Sequence, residues 1–174
     1  MYNFKLDTSN LEKLEKDHGF RQQSIKRAWI AITTFFLEKG TNARFKYWPD
    51  DVTDVNTTGY SGYGIKELII LDPDHIKGKA EDNLILLTVV LNDGIKDFIY
   101  KSMQEDHIMN STFFHFDILD ETDASIYTSH DFGENVLMYL TESGFEKLSS
   151  QHIAESDLIS LPETIEVINQ EHEL

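Results

Sequence analysis

Apolar positions recur at helical spacing over residues 21–39. Ile25, Trp29, Ile32 and Phe36 fall at i, i+4, i+7 and i+11, Ala28 and Phe35 widen the stripe, and Arg21, Lys26 and Arg27 lie off it. Gly40 is the expected stop. A shorter helix is predicted ahead of this one, because Ser9-Asn10-Leu11-Glu12 has the spacing of a capping box. Leu11 and Leu14 would face inward, and Gly19 would end that helix. Phe45–Trp48 reads as a short strand closed by Pro49, and residues 49–64 as a loop. Leu68–Leu71 reads as a buried strand ended by Asp72-Pro73-Asp74, and His75–Glu81 as a polar connection. The run Leu84–Leu91 has the length of a buried strand or of a central helix. Helix is favoured, since Ala80-Glu81-Asp82 would supply an acidic first turn that suits the helix dipole. A further helix begins near Asp93, with Ile95, Phe98, Ile99 and Met103 as its apolar stripe, and ends before Asn110.

The C-terminal third changes period. Phe113–Leu119 alternates as a strand does, and Ser125–Tyr127 and Val136–Leu140 read as two more strands around the polar turn 130–135. Thr141 is placed to cap a helix carrying Phe145 and Leu148. Leu161-Pro162-Glu163 would open a last helix through Ile165 and Ile168, because proline suits a first turn. These elements predict an α+β fold. Residues 1–160 would form one compact domain, with a helical N-terminal part, short strands and a C-terminal β-hairpin plus helix, and residues 161–174 an acidic tail.

Strand, polar turn, strand and then Leu140-Thr141-Glu142-Ser143-Gly144-Phe145-Glu146-Lys147-Leu148 resembles the wing of winged-helix proteins. There the second wing strand often runs into a Leu-Thr-x-x-Gly-x-x-x-Leu segment that starts a helix. The resemblance covers residues 125–148. It departs from DNA-binding members, whose wing tips and recognition helices carry Arg and Lys. Here the tip carries Asp131 and Glu134, and no base lies between Ser102 and Glu146. The resemblance therefore implies a winged-helix module used for protein contacts. Such modules occur as small subunits of larger bacterial assemblies, including the accessory subunits of chromosome-organising ATPases.

Charge changes the picture most. Residues 1–46 carry nine Lys/Arg against five Asp/Glu, a net of +4, and the remainder carries a net of −20 within the overall −16. From Ser102 onward there are sixteen acids and one base, Lys147. Such a surface repels phosphate, which disfavours nucleic acid as a direct ligand, and it complements a basic partner protein. Forty per cent apolar residues, with 11 Phe, 7 Tyr and 2 Trp, suffice for a core and set the chain apart from disordered acidic proteins. The absence of cysteine removes disulfides, thiolate nucleophiles and Cys-ligated zinc. No signal-peptide pattern and no run long enough to span a bilayer is present, so a cytoplasmic location is expected.

Candidate chemistry is sparse. His115 and Asp117 lie two apart on a predicted strand and so share a face, as a His-x-Asp pair that binds a metal or moves protons would. A metal site needs a third ligand, with His107 and His130 nearest in sequence; since two ligands alone make a weak zinc site, an edge strand whose solvent face holds both residues is the preferred reading. Asp50, Asp51, Asp54 and Asn56 make an oxygen-rich loop without the EF-hand order. Gly59-Tyr60-Ser61-Gly62-Tyr63-Gly64 lacks the Gly-Lys-Ser/Thr ending of a phosphate loop and suits an adaptable contact surface or an ordinary turn instead.

The expected function is that of a non-enzymatic acidic protein-binding module without a cofactor. It would be an accessory subunit of a bacterial multiprotein assembly that docks on a basic partner protein. The expected contacts are Tyr60, Tyr63, Asp131, Glu134, Glu163 and Glu166. Alternatives are an inhibitor, immunity protein or DNA mimic for a basic partner, a winged-helix transcriptional regulator, and a metal enzyme built on His115 and Asp117. The dipolar charge layout also suits a head-to-tail homo-oligomer, which the overall −16 opposes.

Overall fold

The computed structural model describes residues 3–8, 18–49, 64–79, 83–104, 113, 115–130, 133–151 and 153–162. The elements are β1 (Phe4–Leu6), α1 (His18–Leu37), β2 (Asn42–Tyr47), α2 (Ile65–Leu71), β3 (Ile76–Lys79), β4 (Ile85–Val90), α3 (Asp93–Met103), β5 (His115–Leu119), β6 (Ser125–His130), β7 (Asn135–Met138), α4 (Glu142–Ser150) and β8 (Leu158–Ser160). All eight strands join in one antiparallel sheet, in the order β3-β4-β2-β5-β6-β7-β1-β8.

This sheet overturns the expected α+β layout of a helical N-terminal part with short strands and a hairpin. It also removes the winged-helix topology. The β6–β7 hairpin and the capped helix after it do form, with the Thr141 hydroxyl accepting from the Gly144 N–H at 3.2 Å. However, β6 is paired on its other side with β5, and β7 with β1. The supposed wing is the interior of a continuous sheet. Its tip turns at Gly133, whose φ of +89° suits glycine, and a Cβ there would stand 2.5 Å from Trp29 Cγ.

Three local expectations also fail. Leu68–Leu71 lies in helix α2, where Ile65 and Leu68, three apart, are buried while Ile70 is exposed. The short apolar run closed by Asp72-Pro73-Asp74 suggested a strand, but the burial period is helical. Leu84–Leu91 contains the strand β4, central between β2 and β3, with Leu87 and Val89 turned inward and Val90 out. The run is apolar without alternation because Leu86, on the other face from Leu87, is also partly covered. The polar connection His75–Glu81 holds the edge strand β3, exposed throughout. The long helix was legible. It starts at His18, so Gly19 is helical and ends nothing, and it finishes at Leu37 with the Gly40 N–H bonded to Phe36 O. The helix near Asp93 forms with Ile95, Ile99 and Met103 buried, and Asn92 caps it through the Ile95 N–H. The predicted helix over residues 9–17, the loop over 50–63 and the acidic tail beyond Pro162 lie outside the described residues.

Strand alternation gives the sheet two unlike faces. Ala43, Phe45, Phe116, Ile118, Tyr127, Ser129, Val136 and Met138 point to one of them and are buried. Helix α1 packs there: Phe36 stacks on Tyr127, Trp29 Nε1 donates to Ser129 Oγ at 3.0 Å, and Thr33 bonds the Tyr127 hydroxyl at 2.5 Å. Helix α3 reaches the same face through Phe98, Phe113 and Phe45, and α4 through Phe145 on Phe4. Trp29, Ile32 and Phe36 are all but fully buried, each contributing about 1.5–3 kcal/mol by removal from water. No described helix is long and apolar enough to cross a membrane.

Candidate functional site

The opposite face begins with the alternation of β2. With Ala43, Phe45 and Tyr47 inward, Asn42, Arg44 and Lys46 must point outward and are only partly buried. The register then builds a row across the sheet: Ile76, Thr88, Arg44, Asp117, Thr128, Leu137, Lys5 and Ile159 are successive cross-strand partners. A second row, one step along, holds Leu86 opposite Lys46 and His115 opposite His130. The middle of this face is therefore polar and rich in cationic and imidazole groups, and Ile76 and Ile159 at the two ends are exposed.

Asp117 is the hub. Its Oδ1 accepts from Thr128 Oγ1 at 2.6 Å, and its Oδ2 pairs with Lys46 Nζ at 3.0 Å. His115 Nε2 stands 2.9 Å from Lys46 Nζ and 3.6 Å from Asp117 Oδ1. The His130 ring lies against His115 with centroids 3.6 Å apart. Burial acts to raise the Asp117 pKa, but the edge of His115, the Thr128 hydroxyl and the Lys46 ammonium outweigh it and hold the value at about 2. Arg44 lies directly across the strand pair from Asp117. Both carboxylate oxygens are already engaged, and Arg44 makes no ion pair or hydrogen bond among the described residues.

This geometry recasts the His-x-Asp pair. A cation shared by His115 and Asp117 would lie between Nε2 and Oδ2, and the Lys46 ammonium stands there already. Among the described residues no group of three or more His, Asp or Glu side chains is placed to hold a metal ion. His107 lies outside them, and His130 joins the cluster by ring contact. Two clefts lined by described residues measure about 150 and 200 Å³. Both are smaller than the roughly 300 Å³ at which drug-sized pockets begin.

Of the residues expected to meet a partner, Glu134 is exposed in the β6–β7 turn, next to the His130–Asn135 pair. Tyr60, Tyr63, Asp131, Glu163 and Glu166 lie outside the described residues. Sequence reasoning found His115 and Asp117 but missed Lys46, Arg44 and Thr128. The signal available was the alternation Asn42-x-Arg44-x-Lys46, hidden because the strand was taken to begin at Phe45. Comparison with known proteins finds no matching family model, no matching curated protein and no matching solved structure.

Proposed function

We propose that this protein is a non-enzymatic binding module, an accessory component of a multiprotein assembly, whose acidic segments dock on a basic partner protein. One observation carries the reading. The chain holds 31 Asp/Glu against 15 Lys/Arg, and from Ser102 onward sixteen acids stand against one base, Lys147. Acids gathered in this way act as a long-range attractor for a positive surface, raising association rate and selecting the partner. Glu134, Asp131, Glu163 and Glu166 supply the charge, and Tyr60 and Tyr63 supply contact area.

The test is recovery of a partner at low salt from the native host, followed by reconstitution from purified components. A basic partner binding near one to one, with affinity falling steeply as salt rises, supports the reading. Asp131→Asn, Glu134→Gln, Glu163→Gln and Glu166→Gln combined should weaken that binding tenfold or more. Salt-independent binding, or a partner indifferent to the four changes, would sink it.

A further inference from the structure

The described strands give the outer sheet face charge of the opposite sign to the chain as a whole, and one of its cations is unengaged among the described residues. Lys46 is engaged by Asp117 and His115, and Asp117 by Lys46 and Thr128. Arg44, in the same row, has neither an ion pair nor a hydrogen bond among the described residues. A partly buried guanidinium keeps five N–H donors in a fixed fork. It sits two strands in from the exposed Ile76, with Thr88 between them. On the other side of Asp117 the row runs through Thr128 to Leu137.

We infer that Arg44 anchors a carboxylate-binding site on this face, completed by Lys46, His115 and His130, which takes an acidic side chain of a peptide laid across the strands. Carboxylate is preferred to phosphate on charge and geometry. At neutral pH the cluster has one unspent fixed charge, that of Arg44, which matches a monoanion. The planar fork meets a carboxylate through two parallel hydrogen bonds. A phosphate dianion calls for more charge and for converging backbone N–H groups, such as a helix N-terminus offers, and no described helix begins on this face. A peptide is preferred to a free acid because the row ends on exposed apolar groups. Ile76 is 69% exposed, and Val90, diagonal to it on the same face, is 54% exposed. An acidic residue with apolar neighbours fills both kinds of position.

Beside Arg44 stand Lys46 on β2 and Asp117 on β5, with the His115 and His130 rings next to them. From β4 the site meets Thr88 and Leu86.

The experiment is an NMR titration of the full chain, reading the His115 and His130 ring resonances. The probes are a six-residue peptide of alternating Glu and Ile, succinate, inorganic phosphate and a single-stranded oligonucleotide, each at pH 7. The expected result is a saturable shift with the peptide, at least tenfold tighter than with succinate. Arg44→Gln should weaken the peptide tenfold or more without lowering the melting temperature, and Arg44→Lys should recover part of the loss. No saturable shift with the peptide would overturn the site. So would peptide binding that is unchanged in Arg44→Gln. Succinate binding as tightly as the peptide would overturn the peptide assignment, and phosphate or the oligonucleotide binding more tightly would overturn the carboxylate class. The inference does not depend on the basic-partner reading, which concerns other residues and the opposite sign of charge.

Discussion

The two faces of β6 carry polar groups to different ends. On the inner face Tyr127 and Ser129 meet Thr33 and Trp29 of α1, and every contact joins neutral groups that are fully buried. On the outer face Thr128 and His130 meet Asp117 and His115, within a cluster that includes Lys46 and Arg44. In these inner contacts donors and acceptors are matched, because an unpaired polar group there costs the full desolvation of that group. Outside, the matching is incomplete. Two cations face one carboxylate, and partial exposure to water lets the imbalance persist. Matched neutral pairs orient a helix; unmatched charge on a surface is available to a ligand.

That contrast is broken most severely from the inside. Trp29→Ala removes a fully buried ring and the bond to Ser129. It should cost about 3–5 kcal/mol, read as a shift of the urea midpoint at constant slope. A loss below 1 kcal/mol would mean that α1 is not fixed to the sheet through this residue. Next comes Gly133→Ala. The residue has φ of +89°, and the added Cβ would stand 2.5 Å from Trp29 Cγ. Strained backbone together with overpacking should cost about 3 kcal/mol in the same assay.

Both predictions rest on contacts that no local stretch of sequence records, and this marks where legibility ended. The stripe Ile25-Trp29-Ile32-Phe36 named α1 and its buried side, and Thr141 named the start of α4, because periodicity and capping are local. The sheet order was out of reach. Strand β1 enters between β7 and β8, so Phe4 pairs with both Met138 and Ser160, across nearly the whole chain. Strand β3, Ile76-Lys77-Gly78-Lys79, is a solvent-facing edge and shows no apolar alternation to find. Lysines on an edge discourage further strands from adding, which makes a strand look like a loop. In the site, His115 and Asp117 were legible because two-residue spacing fixes a common face. Lys46 and Arg44 were not, because their place beside Asp117 depends on the β2–β5 register.

On the outer face the largest effect belongs to Asp117. Its carboxyl titrates at about 2 in the folded chain against the ordinary 3.8. A depressed folded value means stability that is present above about pH 4 and lost as pH falls from there to about 2. The linkage amounts to about 2 kcal/mol. Asp117→Asn should remove that much at pH 7 and flatten the acid limb of stability against pH. A variant that keeps the wild-type acid limb would show that other carboxylates cause it. The inner hydroxyl pair is worth less. Thr33→Val deletes one partner of the Tyr127 hydroxyl and should cost about 1 kcal/mol.

The smallest expected effect sharpens the comparison most. Arg44→Gln changes a charged side chain in the middle of the sheet, two residues from Lys46 and directly opposite Asp117. Were Arg44 part of the network that holds the strands together, its loss would resemble that of Asp117. It makes no hydrogen bond or ion pair among the described residues, so the variant should unfold within about 0.5 kcal/mol of the original at pH 7. Removing a positive charge beside Lys46 also relieves repulsion between the two cations. A measured loss above 1 kcal/mol would place Arg44 with the matched groups and remove the distinction between the two faces.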